Sequence, residues 1–327
     1  MKNLIRLFSF LLLSVYLTSC DSDENEVIPL GPTIFEIASD TENLSTLVQA
    51  LEITGLDQVL NSPGSFTVLA PTNDHFTQFL VSAGFNSLEE IPTDLLTNVL
   101  LNHVIAGELT SGLLSNGYAN TLAVSDASST SLSIYINTDN GVTFNGVSSV
   151  TTADVNASNG VVHIVNGVIG LPTVVTFALA DPNFSTLVQA LTREDLTTDF
   201  VTLLATPSSS SPSPFTVFAP LNSAFENLLS ELQLSSLNDL DEPTLSAVLF
   251  YHVVAETNQP SSTLSGGMVF STVLDSGAPG QGELLFNYTD SGSGTLTDNN
   301  GRVTNIVAVD VQANNGIIHA IDTVLLP

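Results

Sequence analysis

An eleven-residue segment that occurs twice constrains this chain more than any other feature. FTVLAPTNDHF at Phe66–Phe76 returns as FTVFAPLNSAF at Phe215–Phe225, with seven of eleven positions identical. Phe66, Val68 and Ala70 alternate with Thr67 and Leu69, the period of a short, largely buried strand. Pro71 and Pro220 then deny the sheet a backbone donor. Asn73 and Asn222 stand where a helix cap is wanted. Apolar residues follow at helical spacing, Phe76, Phe79 and Leu80 in one copy and Phe225, Leu228, Leu229 and Leu232 in the other. Strand, proline corner and helix must therefore be built twice.

The repeat extends in both directions. STLVQAL is identical at Ser45 and Ser185. It sits within apolar stripes at Leu44, Leu47, Val48 and Leu51 and at Phe184, Leu187, Val188 and Leu191, each one face of a helix. The low-complexity stretch Thr206–Phe215 lengthens the second copy and reads as a flexible surface loop. A further helix carries Leu96, Val99, Leu100 and His103, matched by Leu245, Val248, Leu249 and His252. Strands come next: Ser131–Asn137 with an Asp139-Asn140-Gly141 turn, and Leu284–Tyr288 followed by DNNG at Asp298–Gly301. These clusters lack the spacing and distal glutamate of a calcium loop and read as turns. NGVVHIVNGVIGLP from Asn159 and NGIIHAIDTVLLP from Asn315 close the copies, with His163 and His319 inside a buried run.

Taken in order, these segments resemble fasciclin domains, extracellular modules often associated with cell adhesion. The eleven-residue repeat resembles the first family signature, and the closing NG segments the second. Tyr251-His252 resembles the tyrosine–histidine motif of the family. The resemblance covers residues 33–327 and implies an α+β fold. Two tandem fasciclin-like domains are expected, 33–172 and 173–327, each a mainly antiparallel β sandwich or wedge with packed α-helices. It also marks Tyr251 and His252 as an adhesion motif, whereas the first copy has Asn102 in place of the tyrosine. The positions of the histidines on apolar stripes support a different reading, a structural imidazole bonded to backbone.

Upstream of the repeats, residues 1–19 have the form of a signal peptide. Lys2 and Arg6 precede an apolar run too short to span a bilayer comfortably. Leu17-Thr18-Ser19-Cys20 resembles a bacterial lipobox, which implies cleavage before Cys20 and acylation of that cysteine. A plain secretory signal with an incidental cysteine is the other reading. Cys20 is the sole cysteine, so no intrachain disulfide can form. Residues 20–32 make an acidic tether, and its acidic start resembles the surface-export signals of some lipoproteins. The expected location is the cell envelope, lipid-anchored at the outer membrane, with the bilayer as one partner.

Charge narrows the other partners. The whole chain carries a formal charge of −29. Removal of Lys2 and Arg6 with the signal leaves two arginines, Arg193 and Arg302, against 33 acidic residues, a formal −31. Such a surface repels phosphate backbones, so no nucleic acid is expected. Neither a cofactor nor a metal is expected, because histidines do not cluster with acidic residues at ligand spacing. No nucleophile elbow or phosphate loop follows a strand. The sequence is therefore read as non-enzymatic, a lipoprotein mediating adhesion or extracellular binding of a protein or polysaccharide. The alternatives are a binding protein for a small molecule or glycan, and a structural envelope protein.

Overall fold

A computed structural model describes residues 31–274, 282–289 and 292–327. Residues 1–30, where a signal peptide, lipidation at Cys20 and the start of an acidic tether are expected, lie outside the described residues. The first half runs α1 (Ile34–Ser39), α2 (Ser45–Thr54), α3 (Leu56–Leu60), β1 (Phe66–Pro71), α4 (Asn73–Ala83) and α5 (Thr93–Leu101). Six strands follow: β2 (Val104–Ala106), β3 (Gly117–Val124), β4 (Ser131–Asn137), β5 (Thr143–Phe144), β6 (Ser148–Ala157) and β7 (Gly160–Val165). The second half repeats the order with α6 (Val174–Ala180), α7 (Ser185–Leu191), α8 (Phe200–Leu204), β8 (Phe215–Pro220), α9 (Asn222–Leu232) and α10 (Glu242–Tyr251). Its later strands are β9 (Val253–Val254), β10 (Met268–Ser271), β11 (Glu283–Tyr288), β12 (Gly294–Thr297), β13 (Val303–Ala313) and β14 (Gly316–Ile321).

In the first half the wedge closes into a barrel, β1 through β7 in chain order. The described strands of the second half form a sheet in the order β10-β11-β12-β13-β14-β8-β9. There Val273 donates to the Val253 carbonyl at 2.8 Å, carrying one bond across the gap between β9 and β10. Pairing is antiparallel except at β1–β7 and β8–β14, where each signature strand runs parallel to the last strand of its half. At these joins the glycine of each NG is obligatory. A Cβ on Gly160 would strike the Phe66 carbonyl, and one on Gly316 the Phe215 carbonyl. The preceding asparagines each stitch their own half together. Asn159 accepts from Ile34 N–H and donates to the Leu60 and Ser62 carbonyls; Asn315 does the same with Val174, Leu204 and Thr206.

Each half has its own core, and residues Pro32–Pro327 form one compact unit. Helices pack Leu44, Leu47, Leu51, Phe76, Leu96 and Leu100 against β1 in the first half. The second half places Phe184, Leu187, Phe225, Leu228, Leu245 and Leu249 likewise. The signature strands are buried on both faces because each separates two apolar clusters, Val68 and Ala70 facing one and Leu69 the other, with Val217 and Ala219 set against Phe218 likewise. Even Thr67 and Thr216 are 0% exposed. Their hydroxyls bond the chain beyond the next strand, Gly107 O and Leu109 N in one half and Thr257 O and Gln259 N in the other.

Two local expectations change in the fold, and one strand is more buried than a strand at the edge of a turn would be. Asn73 and Asn222 do not cap their own helices, whose N-cap residues are Thr72 and Leu221. Each instead accepts from an N-terminal N–H of an earlier helix, Thr46 of α2 at 2.8 Å and Thr186 of α7 at 2.9 Å. The capping chemistry is real, but the helix end it satisfies is tertiary. The stretch 206–215 is not loose. Glu256 and Thr257 N–H bond the Pro212 and Pro214 carbonyls at 2.9 Å, and Ser213 Oγ bonds Asn315 O. Finally, Ser131–Asn137 is buried on both faces, because Tyr135 joins the core of the second half.

Candidate functional site

The two motif residues come together in the interior. Tyr251 ends α10 and is 0% exposed; His252 is 4% exposed. His252 Nδ1 donates to Val248 O at 2.7 Å, one helical turn back, and its Nε2 accepts from Leu325 N–H at 3.0 Å. His103 repeats the arrangement with Val99 O at 2.8 Å and Ile169 N–H at 2.9 Å. Each imidazole bolts a helix end to the chain following the last strand. Burial lowers both pKa values to about 4, which keeps the rings neutral and one nitrogen free to accept. The Tyr251 hydroxyl donates to Glu283 O at 2.6 Å and accepts from Asn299 N–H at 3.0 Å. Burial raises its pKa to about 12.

The second histidine pair uses the opposite tautomer. His163 and His319, each 0% exposed, donate from Nε2 to Leu109 O and Gln259 O at 2.9 Å. Nδ1 accepts from the backbone N–H of Asp154 or Asp310, at 3.2 and 3.4 Å. Both aspartates sit at left-handed bulge positions, φ 59° and 62°. Their carboxylates accept from the hydroxyl and N–H of Ser111 and Ser261. Ser111 thereby holds the Asp154 carboxyl below its ordinary pKa. Serine, aspartate and histidine are adjacent here, yet the hydroxyl donates to the carboxylate and does not face the imidazole. A nucleophilic triad needs the reverse order, with the ring against the serine.

The DNNG turn is likewise closed upon itself. Asp298 accepts from Asn300 and Arg302 N–H on one oxygen and from Leu326 N–H on the other. Among the described residues, no group of three or more His, Cys, Asp or Glu is placed to hold a metal ion. None of the described helices is long and apolar enough to cross a membrane.

Sequence reasoning missed the seam between the halves. Tyr118 of β3 and Tyr135 of β4 lie 5.0 Å apart, and Tyr118 meets Phe177 of α6 edge-on at 5.5 Å. The Tyr118 hydroxyl donates to the buried Asp181 carboxylate at 3.0 Å. Burial, reinforced by that carboxylate, pushes the phenol pKa of Tyr118 up and that of Tyr135 to about 12. On the other side Gln312 N–H donates to Ser133 Oγ at 3.0 Å, and Ser125 Oγ donates to Ala313 O at 2.7 Å. Asp126 and Asn314 exchange two hydrogen bonds. Beside the tyrosines the seam opens into a groove of about 370 Å³, floored by Phe184, Leu221 and Val311 and rimmed by Asn116 and Asn183. The one sequence signal was Tyr135, a bulky ring at an outward position of a strand.

The comparisons with known proteins agree with this architecture. The fasciclin domain model matches residues 42–172 and again 182–327. Protein sll1483 of Synechocystis is 36% identical over 137 residues, 42% of this chain and 72% of that protein. Human periostin is 29% identical over 275 residues, 83% of this chain but only 29% of periostin. Among solved structures, a FAS1 domain pair from the insect cell adhesion molecule fasciclin I covers 88% of this chain and 98% of its own. Its TM-score is 0.51 at 22% identity, a likeness of fold.

Proposed function

Because the chain belongs to the fasciclin domain family, we propose that it mediates cell adhesion or extracellular binding from a lipid anchor in the cell envelope. One observation carries this reading. Five polar side chains that recur in both halves, two histidines, an aspartate and two asparagines in each, are bonded to their own fold. They position backbone and hold nothing out to a substrate, so recognition falls to the outer surface. In this reading the lipobox-like Leu17–Cys20 supplies a Cys20 acylated in the bilayer, and residues 20–32 link it to the folded unit. Tyr251 and His252 then serve adhesion from within, by holding the second half together, since both side chains are interior.

Two measurements test the reading. Cys20→Ala should leave a precursor that takes up no labelled fatty acid, and unchanged labelling would remove the anchor. Cells that keep the anchor but lack residues 33–327 should attach less well than wild type. Equal attachment on every surface tried would remove adhesion. Attachment to anionic surfaces should weaken at low salt, where the negative charge is least screened. The seam groove favours a second reading, binding of a small molecule or glycan, which a glycan array on the same protein would reveal.

A further inference from the structure

The outer face of β10–β13 is chemically unlike the rest of this acidic chain. Inward residues such as Phe270, Leu284, Phe286 and Leu296 form a core. Their alternates point outward, and four of these are large and apolar: Val269, Leu285, Val303 and Val307 are 53%, 37%, 61% and 51% exposed. Strand register aligns three of them. Val269 lies opposite Leu285, Leu285 opposite Thr297, and Thr297 opposite Val303, one row across four strands. The adjoining row, Asn287, Thr295 and Asn305, is uncharged. Among the described residues of this face, carboxylates stand at the margins, Glu283 beside Ser271 and Asp322 bonded to Asn305.

The first half shows what this layer of the fold can do. Its corresponding ribbon, β3–β4, turns Tyr118, Ser133 and Tyr135 outward and buries them against α6 and β13 of the second half. Along β13 the same outward surface runs on from Val311, inside that seam, through Val307 to Val303. The exposed row thus continues an interface that already exists. A charge-free row gains nothing from a charged partner and is matched by another apolar, uncharged row. On a chain of net charge −29, the surface that best meets that requirement is the same face of another molecule.

We propose that the β10–β13 face binds a second copy of this chain, face to face about a two-fold axis. Such an interface is self-complementary and closes at two molecules. Two sheets stacked by their apolar rows pack about 10 Å apart. The carboxylates at the margin and the net negative charge oppose the approach, so association strengthens as salt rises. This names a partner for the binding reading, but it concerns the folded unit alone and does not depend on the anchor or on attachment to cells.

Residues 32–327 form a compact unit with their own cores and contain no cysteine, which makes the experiment clean. Sedimentation equilibrium should show a monomer–dimer equilibrium that shifts toward dimer with added salt. Leu285→Asp and, separately, Val303→Asp should each weaken dimerisation about a hundredfold by burying unpaired charge, with melting curves like wild type. Val81→Asp, at an exposed valine of α4, should change nothing. Leu285→Cys should yield a disulfide-linked dimer under mild oxidant. A protein that stays monomeric at every concentration and salt overturns the proposal, as does a dimer indifferent to both charged variants. Binding of the monomer to neutral phosphatidylcholine vesicles, abolished by Leu285→Asp, overturns it in favour of a lipid surface.

Discussion

Asn102 and Tyr251 hold the same place in the two halves, one residue before a buried histidine, and they do one job with different reach. Asn102 is 0% exposed and donates to the Ile169 and Gly170 carbonyls while accepting from Thr121 Oγ1. Tyr251 reaches farther, spanning to Glu283 on β11 and to Asn299 in the DNNG turn. Its ring also fills the core enclosed by Phe218, Phe270 and Phe286. The neighbouring histidines barely differ, because both of their partners are backbone atoms supplied by the fold itself. What the two halves share is the bolt; what differs is the strap beside it. A motif residue can therefore be replaced where another side chain finds a nearer anchor.

That contrast predicts unequal costs. Tyr251→Ala removes a fully buried aromatic and should destabilise by about 3–5 kcal/mol. Asn102→Ala leaves polar partners unsatisfied but opens little space, costing about 1–3 kcal/mol. Denaturant midpoints of the two variants measure the difference, and equal losses would break the comparison.

Acid should treat the halves alike. His103 and His252 have folded pKa values of about 4, below the ordinary unfolded value of about 6.5. Between those values the unfolded chain binds more protons, so stability rises with pH. The contribution is whole above about pH 6.5 and is lost as pH falls to about 4, on the order of 3 kcal/mol per histidine. His103→Gln and His252→Gln should each remove one share of the slope when unfolding is followed across that range. A slope unchanged in either variant would mean that the ring is not the titrating group.

Smaller effects probe what joins and stiffens the halves. Gln312→Ala removes the side chain whose amide lies 3.1 Å from Ser125 Oγ across the seam, a loss of about 1–3 kcal/mol. Amide exchange should quicken on β4 and β13 together; quickening on β13 alone would mean that the amide serves only its own half. Asn73→Ala and Asn222→Ala should cost about 1 kcal/mol each, as helix caps do. Here near equality is expected, and a large asymmetry would contradict the shared role in α2 and α7.

Legibility in the sequence followed the range of the interactions. The signature strands, the helices behind Asn73 and Asn222, and the DNG and DNNG turns rest on residues close in the chain, so periodicity and turn chemistry found them. Asn73 stands where a cap for α4 is expected, but the helix end it satisfies belongs to α2, which starts 28 positions earlier, at Ser45. Only folding brings the two together. Stripe positions placed the histidines on interior faces, but their tautomers depend on Leu325 and Ile169, beyond the reach of local pattern. The seam was least visible. Ser125, Asp126 and Asn314 look like ordinary loop residues until the two halves face each other.

The parallel pairs that close each half also set an order of events. Phe66 pairs with Gly160, and Phe215 with Gly316, separations of roughly a hundred residues, which makes closure a slow, non-local step. A nascent chain emerges amino end first, so the opening strand waits for nearly its whole half to follow. Asn159 and Asn315, which fasten the first helix of each half to its end, arrive with that last strand. Until then the parallel pair that completes the sheet of each half is missing. The topology thus delays completion of each half until its last strand has been made, and holds the two ends of each half open for the longest part of synthesis.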